Sequence, residues 1–302
     1  MRQRLVFSSL PLLVLMLALA PAAHASTLYV NGAKGSDSNN CKSAQHACKT
    51  IGHAISLASS ADTVKVAAST YKENLDIGIS LNILGANART TIVDGNQAKT
   101  VFTISTGVVL LSGLTIENGS AAGGFAGGIA NKGTLTVSNC TITGNDGSGG
   151  YVGGIFNDGG TTTVSSSTIT GNSASGGYAD GIFIDGGTTT FQNTILANSG
   201  ANCYGTVSSS GYNLSSDDSC NFTGKGDKND KEPKLGTLGY HGGPTQTFPE
   251  LLKSPTVDKG NPKGCTDGEG HKLTTDQRGD PRPGKDKTDK RCDIGAYERQ
   301  TD

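Results

Sequence analysis

The segment GGIFNDGGTTTVSSSTITGN, residues 153–172, recurs twice in the chain with few changes. It reads GGIANKGTLTVSNCTITGN at residues 127–145 and DGIFIDGGTTTFQNTILAN at residues 180–198. A weaker copy, LTIEN at residues 114–118, precedes these three and contributes the first of four aligned isoleucines. The isoleucines follow one another at steps of 26, 27 and 26 residues, at Ile116, Ile142, Ile169 and Ile195. A constant step of this size indicates a solenoid built from similar coils.

The repeats have the two-residue period of β-strands, since apolar residues alternate with polar ones, as at Leu135 and Val137. Thr and Ile favour strands, whereas Gly, Asn and Asp favour the turns between them. Helical solenoids have longer repeats with a helical period, and the L-x-x-L-x-L pattern of leucine-rich repeats is absent. We therefore predict an all-β chain, a right-handed parallel β-helix solenoid whose coils stack about 4.8 Å apart.

Three asparagines occupy one column of the aligned repeats and are predicted to form a stacking ladder: Asn145, Asn172 and Asn198. Side-chain amides stacked at a turn can hydrogen-bond to one another along the solenoid axis. Cys140 has the same strand parity as Ile142, which predicts a thiol buried in the core as a small apolar group.

The composition also fits repetition. The 302 residues include 44 Gly, eight Tyr, eight Phe and no Trp, with a formal net charge of −1. This balance argues against a nucleic-acid partner and against anionic membranes, because both need a dense basic surface. The charges are unevenly distributed: residues 225–302 carry 29 of the 51 charged residues, and residues 101–200 carry six.

Residues 1–25 have the features of a secretory signal peptide. Arg2 and Arg4 precede an apolar segment, and Ala23-His24-Ala25 is a small-residue cleavage site. No later stretch is apolar enough to span a bilayer. We predict an exported protein without a membrane span, located extracellularly or in the periplasm.

Export permits disulfides, which explains the cysteine content. Sequential pairing is the simplest of the fifteen connectivities of six cysteines, with candidates Cys41 and Cys48, Cys203 and Cys220, and Cys265 and Cys292. Cys140 is left as the buried free thiol. A zinc site is disfavoured because the chain has no C-x-x-C motif and its histidines lack ligand spacing.

The chain divides into four predicted segments: the signal peptide 1–25, an N-terminal strand and capping helix in 26–61, the coils in 62–222, and a charge- and proline-rich module in 223–302. The short helix is predicted from apolar residues on one face, including Ile51, Ala54 and Ile55. It would cover the N-terminal end of the solenoid, where a β-helix otherwise exposes strand edges. The last segment is predicted to be a loop-rich C-terminal cap or a lateral appendage, held by Cys265 and Cys292.

Several motifs resemble bacterial secreted proteins with the pectin-lyase-like β-helix. The motifs are Tyr29-Val-Asn-Gly, Gly35-Ser-Asp37, Cys48-Lys-Thr-Ile51, Ala54-Ile55, Asp62-Thr-Val-Lys-Val66 and Ser69-Thr-Tyr-Lys-Glu73. The C-terminal part is similar to the choice-of-anchor Q module, through Gly242-Gly-Pro-Thr245, Leu251-Leu-x-x-Ser-Pro255, Val257-Asp-x-Gly260, Asp276-Gln-Arg-Gly-Asp-Pro-Arg-Pro283 and Cys292-Asp-Ile-Gly-Ala-Tyr-Glu298. The resemblance implies a β-helix and raises the alternative of polysaccharide-cleaving activity.

The best catalytic candidates are Lys132, Asp158 and Asp185, which occupy one column of the repeats. Polysaccharide lyases need a base and calcium-binding carboxylates, and glycosidases need clustered carboxylates. Both aspartates, however, stand in Asp-Gly-Gly sequences, where Asp is expected for turn formation alone. The turn interpretation is therefore preferred.

Two further charged groups are candidates for ligand binding. Arg278 and Arg282 could clamp an acidic ligand, although pairing with Asp276, Asp280 or Asp293 to hold the cap is preferred. No cofactor is predicted; the alternative is a loosely held calcium ion on an acidic string that lacks a loop template, formed by Asp217, Asp218, Asp227 and Asp230.

The sequence as a whole predicts an exported, monomeric, non-enzymatic β-helix protein for surface display, adhesion or glycan contact. Its expected partner is a polysaccharide or cell-surface glycan. The alternative is a diverged polysaccharide lyase or glycoside hydrolase of the same fold. The scarcity of charge on the solenoid favours the first interpretation.

Overall fold

The computed structural model describes residues 25–85, 91–242, 246–285 and 291–301. These residues form a parallel β-helix of three sheets, which confirms the predicted fold class. Apart from Ala25, the predicted signal peptide lies outside the described residues, as do parts of the 242–245 motif and of the 285–291 loop. Within the described part, no helix is both long and apolar enough to cross a membrane.

Each coil contributes one strand to each sheet, and every neighbouring pair of strands is parallel. Sheet 1 has eight strands: β1 (Thr27–Val30), β2 (Asp62–Val66), β5 (Leu81–Gly85), β8 (Val108–Ser112), β11 (Thr134–Ser138), β14 (Thr161–Ser165), β17 (Thr188–Gln192) and β20 (Ser208–Ser209). Sheet 2 has seven: β3 (Ser69–Lys72), β6 (Thr91–Asp94), β9 (Thr115–Glu117), β12 (Thr141–Thr143), β15 (Thr168–Thr170), β18 (Ile195–Ala197) and β21 (Leu214–Ser215). Sheet 3 has six: β4 (Leu75–Ile77), β7 (Phe102–Ile104), β10 (Ile129–Asn131), β13 (Ile155–Asp158), β16 (Ile182–Asp185) and β19 (Cys203–Tyr204).

The core fills the space between the three sheets with stacked aliphatic side chains. The strand register places Ile142 beside Ile116 on one side and Ile169 on the other. The prediction was wrong for Ile195, which pairs with Thr168, so Leu196 continues the column instead. Cys140 lies fully buried in the same core, and burial raises the pKa of its thiol to about 12. The helix α1 (Ile51–Leu57) begins after the cap Thr50 and buries Ile51 and Ala54 against the first coils.

The asparagine column forms a continuous ladder of hydrogen bonds. Asn145 Nδ2 donates to Asn172 Oδ1 at 2.9 Å, and Asn172 Nδ2 donates to Asn198 Oδ1 at 3.2 Å. The ladder then continues beyond the repeats, because Asn198 Nδ2 donates to Asn202 Oδ1 at 3.0 Å. Asn202 Nδ2 in turn donates to Asp217 Oδ1 at 3.1 Å. The regular spacing stops at Asn198, so comparison of the repeats does not find these last two members.

The structure contains three disulfides, each between cysteines that are neighbours in the sequence apart from the free Cys140. They connect Cys41 with Cys48, Cys203 with Cys220, and Cys265 with Cys292, which is the sequential arrangement. The first lies near the N-terminal end of the solenoid, the second joins the last coil to the loop that follows, and the third lies within the C-terminal module. Three disulfides are typical of proteins that fold in an oxidising compartment.

The C-terminal module lies along the side of the solenoid, at the corner where sheet 1 turns into sheet 2. Its backbone carbonyls accept hydrogen bonds from the corner residues of three successive coils. These residues, Asn139, Ser166 and Asn193, all have positive φ, between 47° and 55°. Gln277 also contacts the solenoid, where its Nε2 donates to the carbonyl of Leu114 at 3.2 Å. The loop-rich cap is thus fastened across several coils.

The module contains a buried carboxyl group, Glu250, whose two oxygens make no hydrogen bond among the described residues. Burial raises its pKa well above the usual range, and the charges of Asp293 and Glu298 add to this. The folded state therefore binds the proton more tightly than the unfolded chain. The resulting stabilisation of the folded state is complete below the pKa that Glu250 has in the unfolded chain. It is lost as the pH rises through the higher pKa that Glu250 has in the folded state.

We therefore expect Glu250→Gln to raise the free energy of unfolding at pH 8 by more than at pH 5, since the amide removes the cost of ionising a buried group. Denaturant titrations at a series of pH values would measure this difference. Glu232→Gln, at an exposed position of the same module, is the matched control. Equal effects of Glu250→Gln at both pH values would contradict a raised pKa of Glu250 in the folded state.

Candidate functional site

The outer face of sheet 3 carries large aromatic side chains. Along β13 and β16, Ile155 and Ile182 point into the main core, so Phe156 and Phe183 point outwards because side chains alternate along a strand. The parallel register stacks Phe156 on Phe183, and Phe183 on Tyr204 of the last coil. A column of three aromatic rings therefore lies outside the solenoid.

A second aromatic column comes from the loops that precede the strands of sheet 3. Phe125, Tyr151 and Tyr178 recur at the same steps of 26 and 27 residues as the isoleucines. These loops stack on one another through parallel bridges that join Ala126 to Val152 and Val152 to Ala179. Each loop folds back towards the strands and places its ring over the outer face of the sheet.

The two columns form one continuous array, which we call the aromatic stripe: Phe125, Tyr151, Phe156, Tyr178, Phe183 and Tyr204. Neighbouring ring centroids are between 4.7 Å and 5.6 Å apart, within the range of favourable ring packing. Phe156 and Phe183 are buried beneath the other rings, with 2% and 7% of their surface exposed. Phe125, Tyr178 and Tyr204 are 45%, 49% and 49% exposed, so the outer surface of the stripe is open to solvent.

The predicted catalytic column lies on the same face, two residues further along each strand. Lys132 Nζ is 3.1 Å from Asp158 Oδ2, and Asp158 pairs in strand register with Asp185. The structure thus brings all three candidates together on adjacent coils. Glycines with positive φ follow both aspartates, at 72° for Gly159 and 81° for Gly186, as the turn interpretation requires.

A polar groove of about 310 Å³ lies beside the other end of the stripe. Its lining includes Asp76 and Thr103, which are paired in register on the outer face of sheet 3. Thr103 in turn pairs with Ala130, the residue one coil below Phe156. The groove and the stripe therefore belong to one surface, with Lys99 and Gly124 completing the edge of the groove.

The two candidate arginines, Arg278 and Arg282, lie inside the C-terminal module and not on an open surface. Arg278 and Arg282 are 4% and 3% exposed. The guanidinium of Arg278 pairs with Asp276 and Asp280, at 2.7 Å and 3.1 Å. Arg282 Nε lies 3.4 Å from Glu298 Oε2. These contacts hold the module together, as the preferred interpretation stated, although Glu298 was not among the expected partners.

Two aspartates of the acidic string, Asp217 and Asp227, are engaged in side-chain hydrogen bonds. Asp217 receives bonds from Asn202 and Ser219, and these bonds lower its pKa against the opposing effect of burial, the largest single contribution. Asp227 accepts bonds from the backbone N–H groups of Asn213 and Gly224. Both side chains fasten the last coil, and the calcium alternative stays untested.

The aromatic stripe was not found by reading the sequence. Its signal was nevertheless present, because Phe125, Tyr151 and Tyr178 follow the repeat, as do Phe156 and Phe183. Aromatic residues make up only 5% of the chain, yet six of the sixteen Phe and Tyr rings fall in these two columns.

No family model, curated protein or solved structure matches this chain. The parallel β-helix rests on the structure itself, and the resemblance to the pectin-lyase-like and choice-of-anchor Q families stays a prediction.

Proposed function

We propose that this is an exported, non-enzymatic β-helix protein that contacts a polysaccharide or cell-surface glycan through its aromatic stripe. The observation that carries the proposal is the stripe itself: six packed rings on one face, three of them about half exposed. A contact of this kind also suits display on, or adhesion to, a cell surface.

The surface combines the two kinds of group that recognise sugars. The C–H faces of pyranose rings pack against aromatic rings, while their hydroxyl groups need hydrogen-bond donors and acceptors nearby. Asp158 and Lys132 border the stripe along the strands, and Asp76 lies in the groove at its end. Because the rings repeat with the coils, a linear glycan lying along the solenoid axis would meet several of them in succession.

Charge argues against a nucleic acid on the same stripe. Aromatic rings also stack on bases, but single-stranded nucleic acids additionally require a basic groove that follows the phosphates. The one lysine in residues 101–200, Lys132, is paired with Asp158. A neutral or weakly charged glycan fits this surface better.

The alternative, a diverged lyase or glycoside hydrolase, would use Lys132, Asp158 and Asp185. The direct pairing of Lys132 with Asp158 satisfies both charges, and the following glycine turns account for the aspartates. We therefore expect no turnover of uronate or neutral polysaccharides by the purified protein.

Removal of exposed rings tests the proposal. We expect the double variant Tyr178→Ala, Tyr204→Ala to bind its glycan about 5- to 150-fold more weakly, because each lost ring contact contributes about 0.5–1.5 kcal/mol. Glycan arrays and polysaccharide pull-downs would identify the ligand, and titration calorimetry would give the affinities. Tyr240→Ala is the matched control, since Tyr240 is 55% exposed but lies in the C-terminal module.

Three outcomes would contradict the proposal. Blank arrays and pull-downs for the unaltered protein would exclude glycan contact, and unchanged affinity in the double variant would exclude the stripe. Product release that is abolished by Asp158→Ala or Asp185→Ala would establish the enzymatic alternative instead.

The location and family of the protein are part of the proposal. The signal peptide at residues 1–25 and the three disulfides support export to the periplasm or the cell exterior. The C-terminal motifs support a module of the choice-of-anchor Q type, here fastened along the solenoid.

A further inference from the structure

The carboxylate of Asp62 holds the backbone of the first residues of β1. Asp62 opens β2, and the parallel register places Ser26 beside it, one position before the pair Thr27 and Thr63. The Ser26 N–H donates to Asp62 Oδ1 at 2.6 Å, and the Ser59 N–H donates to Asp62 Oδ2 at 2.8 Å. The Ser26 carbonyl accepts from the Thr63 N–H at 2.8 Å, so Ser26 is fixed on both sides.

This carboxylate is buried without a countercharge. Asp62 is 5% exposed, and it forms no salt bridge with any Lys, Arg or His of the described residues. Buried carboxylates are usually paired with a cation, because desolvation of an isolated charge is costly. A positive charge at the position of the Ser26 nitrogen would supply that partner.

The sequence offers such a charge, since the predicted cleavage site Ala23-His24-Ala25 ends immediately before Ser26. We propose that proteolytic processing at Ala25–Ser26 creates an α-ammonium group that forms an ion pair with Asp62 and fastens the mature N-terminus to the first coil. In the hydrolysis, water adds across the amide bond. Ala25 leaves with the new carboxylate, and the Ser26 nitrogen takes up protons to become the ammonium. An export-pathway peptidase is the catalyst.

The surroundings accommodate the new charge. A cavity of about 620 Å³ adjoins Ser26 and Asp62, and it leaves room for water around the other ammonium protons. The charged or titratable groups that line the same cavity are Asp37, Lys42 and His53. Asp37 is engaged by the N–H groups of Lys49 and Thr50, so Asp62 is the acceptor already directed at Ser26.

A set of N-terminal variants tests the ion pair. The full-length chain, expressed with export, should yield a product whose N-terminal sequence and intact mass begin at Ser26. Chain 26–302 with a free amine should then melt roughly 2–4 °C higher than both the N-acetylated chain 26–302 and chain 25–302. Acetylation keeps an N–H donor but removes the charge, so it isolates the ion pair from the hydrogen bond.

Asp62→Asn provides the decisive comparison. In this background we expect the free-amine, acetylated and Ala25-extended chains to have equal Tm values, because no carboxylate remains for the ammonium to bind. Asp76→Asn, at an exposed position, controls for the loss of one negative charge and should preserve the differences. An exported product that begins elsewhere, equal Tm values in the unaltered background, or differences that persist in Asp62→Asn would each overturn the proposal.

Discussion

Asn172→Ala is expected to lower the free energy of unfolding by about 3–5 kcal/mol. Asn172 Oδ1 accepts hydrogen bonds from both the backbone N–H and the side-chain amide of Asn145, at 3.2 Å and 2.9 Å. Its own Nδ2 donates to the carbonyl of Ile142 at 3.0 Å. Alanine would remove these partners, and although Asn145 Nδ2 keeps its bond to the carbonyl of Ile116, each buried group left without a partner costs about 1–3 kcal/mol.

Guanidinium unfolding monitored by circular dichroism would measure the loss. The matched control is Asn40→Ala, because Asn40 is exposed and lies outside the ladder. This control should change the unfolding free energy by no more than about 0.5 kcal/mol. A loss of less than about 1 kcal/mol for Asn172→Ala would contradict the prediction. It would show that the ladder contributes little to stability, although unpaired buried groups should each be costly.

Arg278→Ala is expected to destabilise the protein by about 3–5 kcal/mol, because it removes one partner of a buried ion pair. The guanidinium pairs with Asp276 at 2.7 Å and donates to the carbonyl of Glu298 at 2.6 Å. It also lies 3.7 Å from the centre of the Tyr297 ring, a favourable cation–π contact. Without it, the buried carboxylate of Asp276 would lose its direct ion pair and keep only the backbone N–H donors of residues 278, 280 and 298.

Thermal and denaturant unfolding would give the size of this effect, and limited proteolysis would show whether cleavage concentrates in the C-terminal module. Arg278→Lys should recover only part of the loss, because a lysine cannot reproduce the planar fork that contacts several acceptors. Lys272→Ala, at an exposed position of the same module, should be close to neutral. Full recovery by Arg278→Lys would mean that charge alone matters at this position.

The sequence was sufficient for the coils because a solenoid repeats one backbone path. Ile116, Ile142 and Ile169 recur at a constant step, and the structure places them in register in one column. The same step identified Asn145, Asn172 and Asn198, whose amides are hydrogen-bonded to one another. Asn202 and Asp217 extend the ladder but do not follow the repeat spacing, so the sequence did not predict them.

The candidate site was predictable only in part. The column of Lys132, Asp158 and Asp185 follows from spacing, but the ion pair between Lys132 and Asp158 depends on side-chain contact. Tyr178 comes from a loop and Phe183 from a strand, so no single period brings the two rings to 4.7 Å. Their contact depends on how the loop folds back over the sheet.

The sequence by itself thus determined the parallel β-helix and the residues that face its core, because the strand period and the coil period are both local and repeated. Only the tertiary structure showed the packing of the rings in the aromatic stripe, the path of the C-terminal module along the solenoid, and the hydrogen bond between Ser26 and Asp62. Each of these depends on contacts between residues far apart or in irregular loops, such as Gln277 with Leu114. The repeat spacing marks the two columns of rings along the chain, but it does not specify these contacts, because they depend on how loops and distant segments pack in three dimensions.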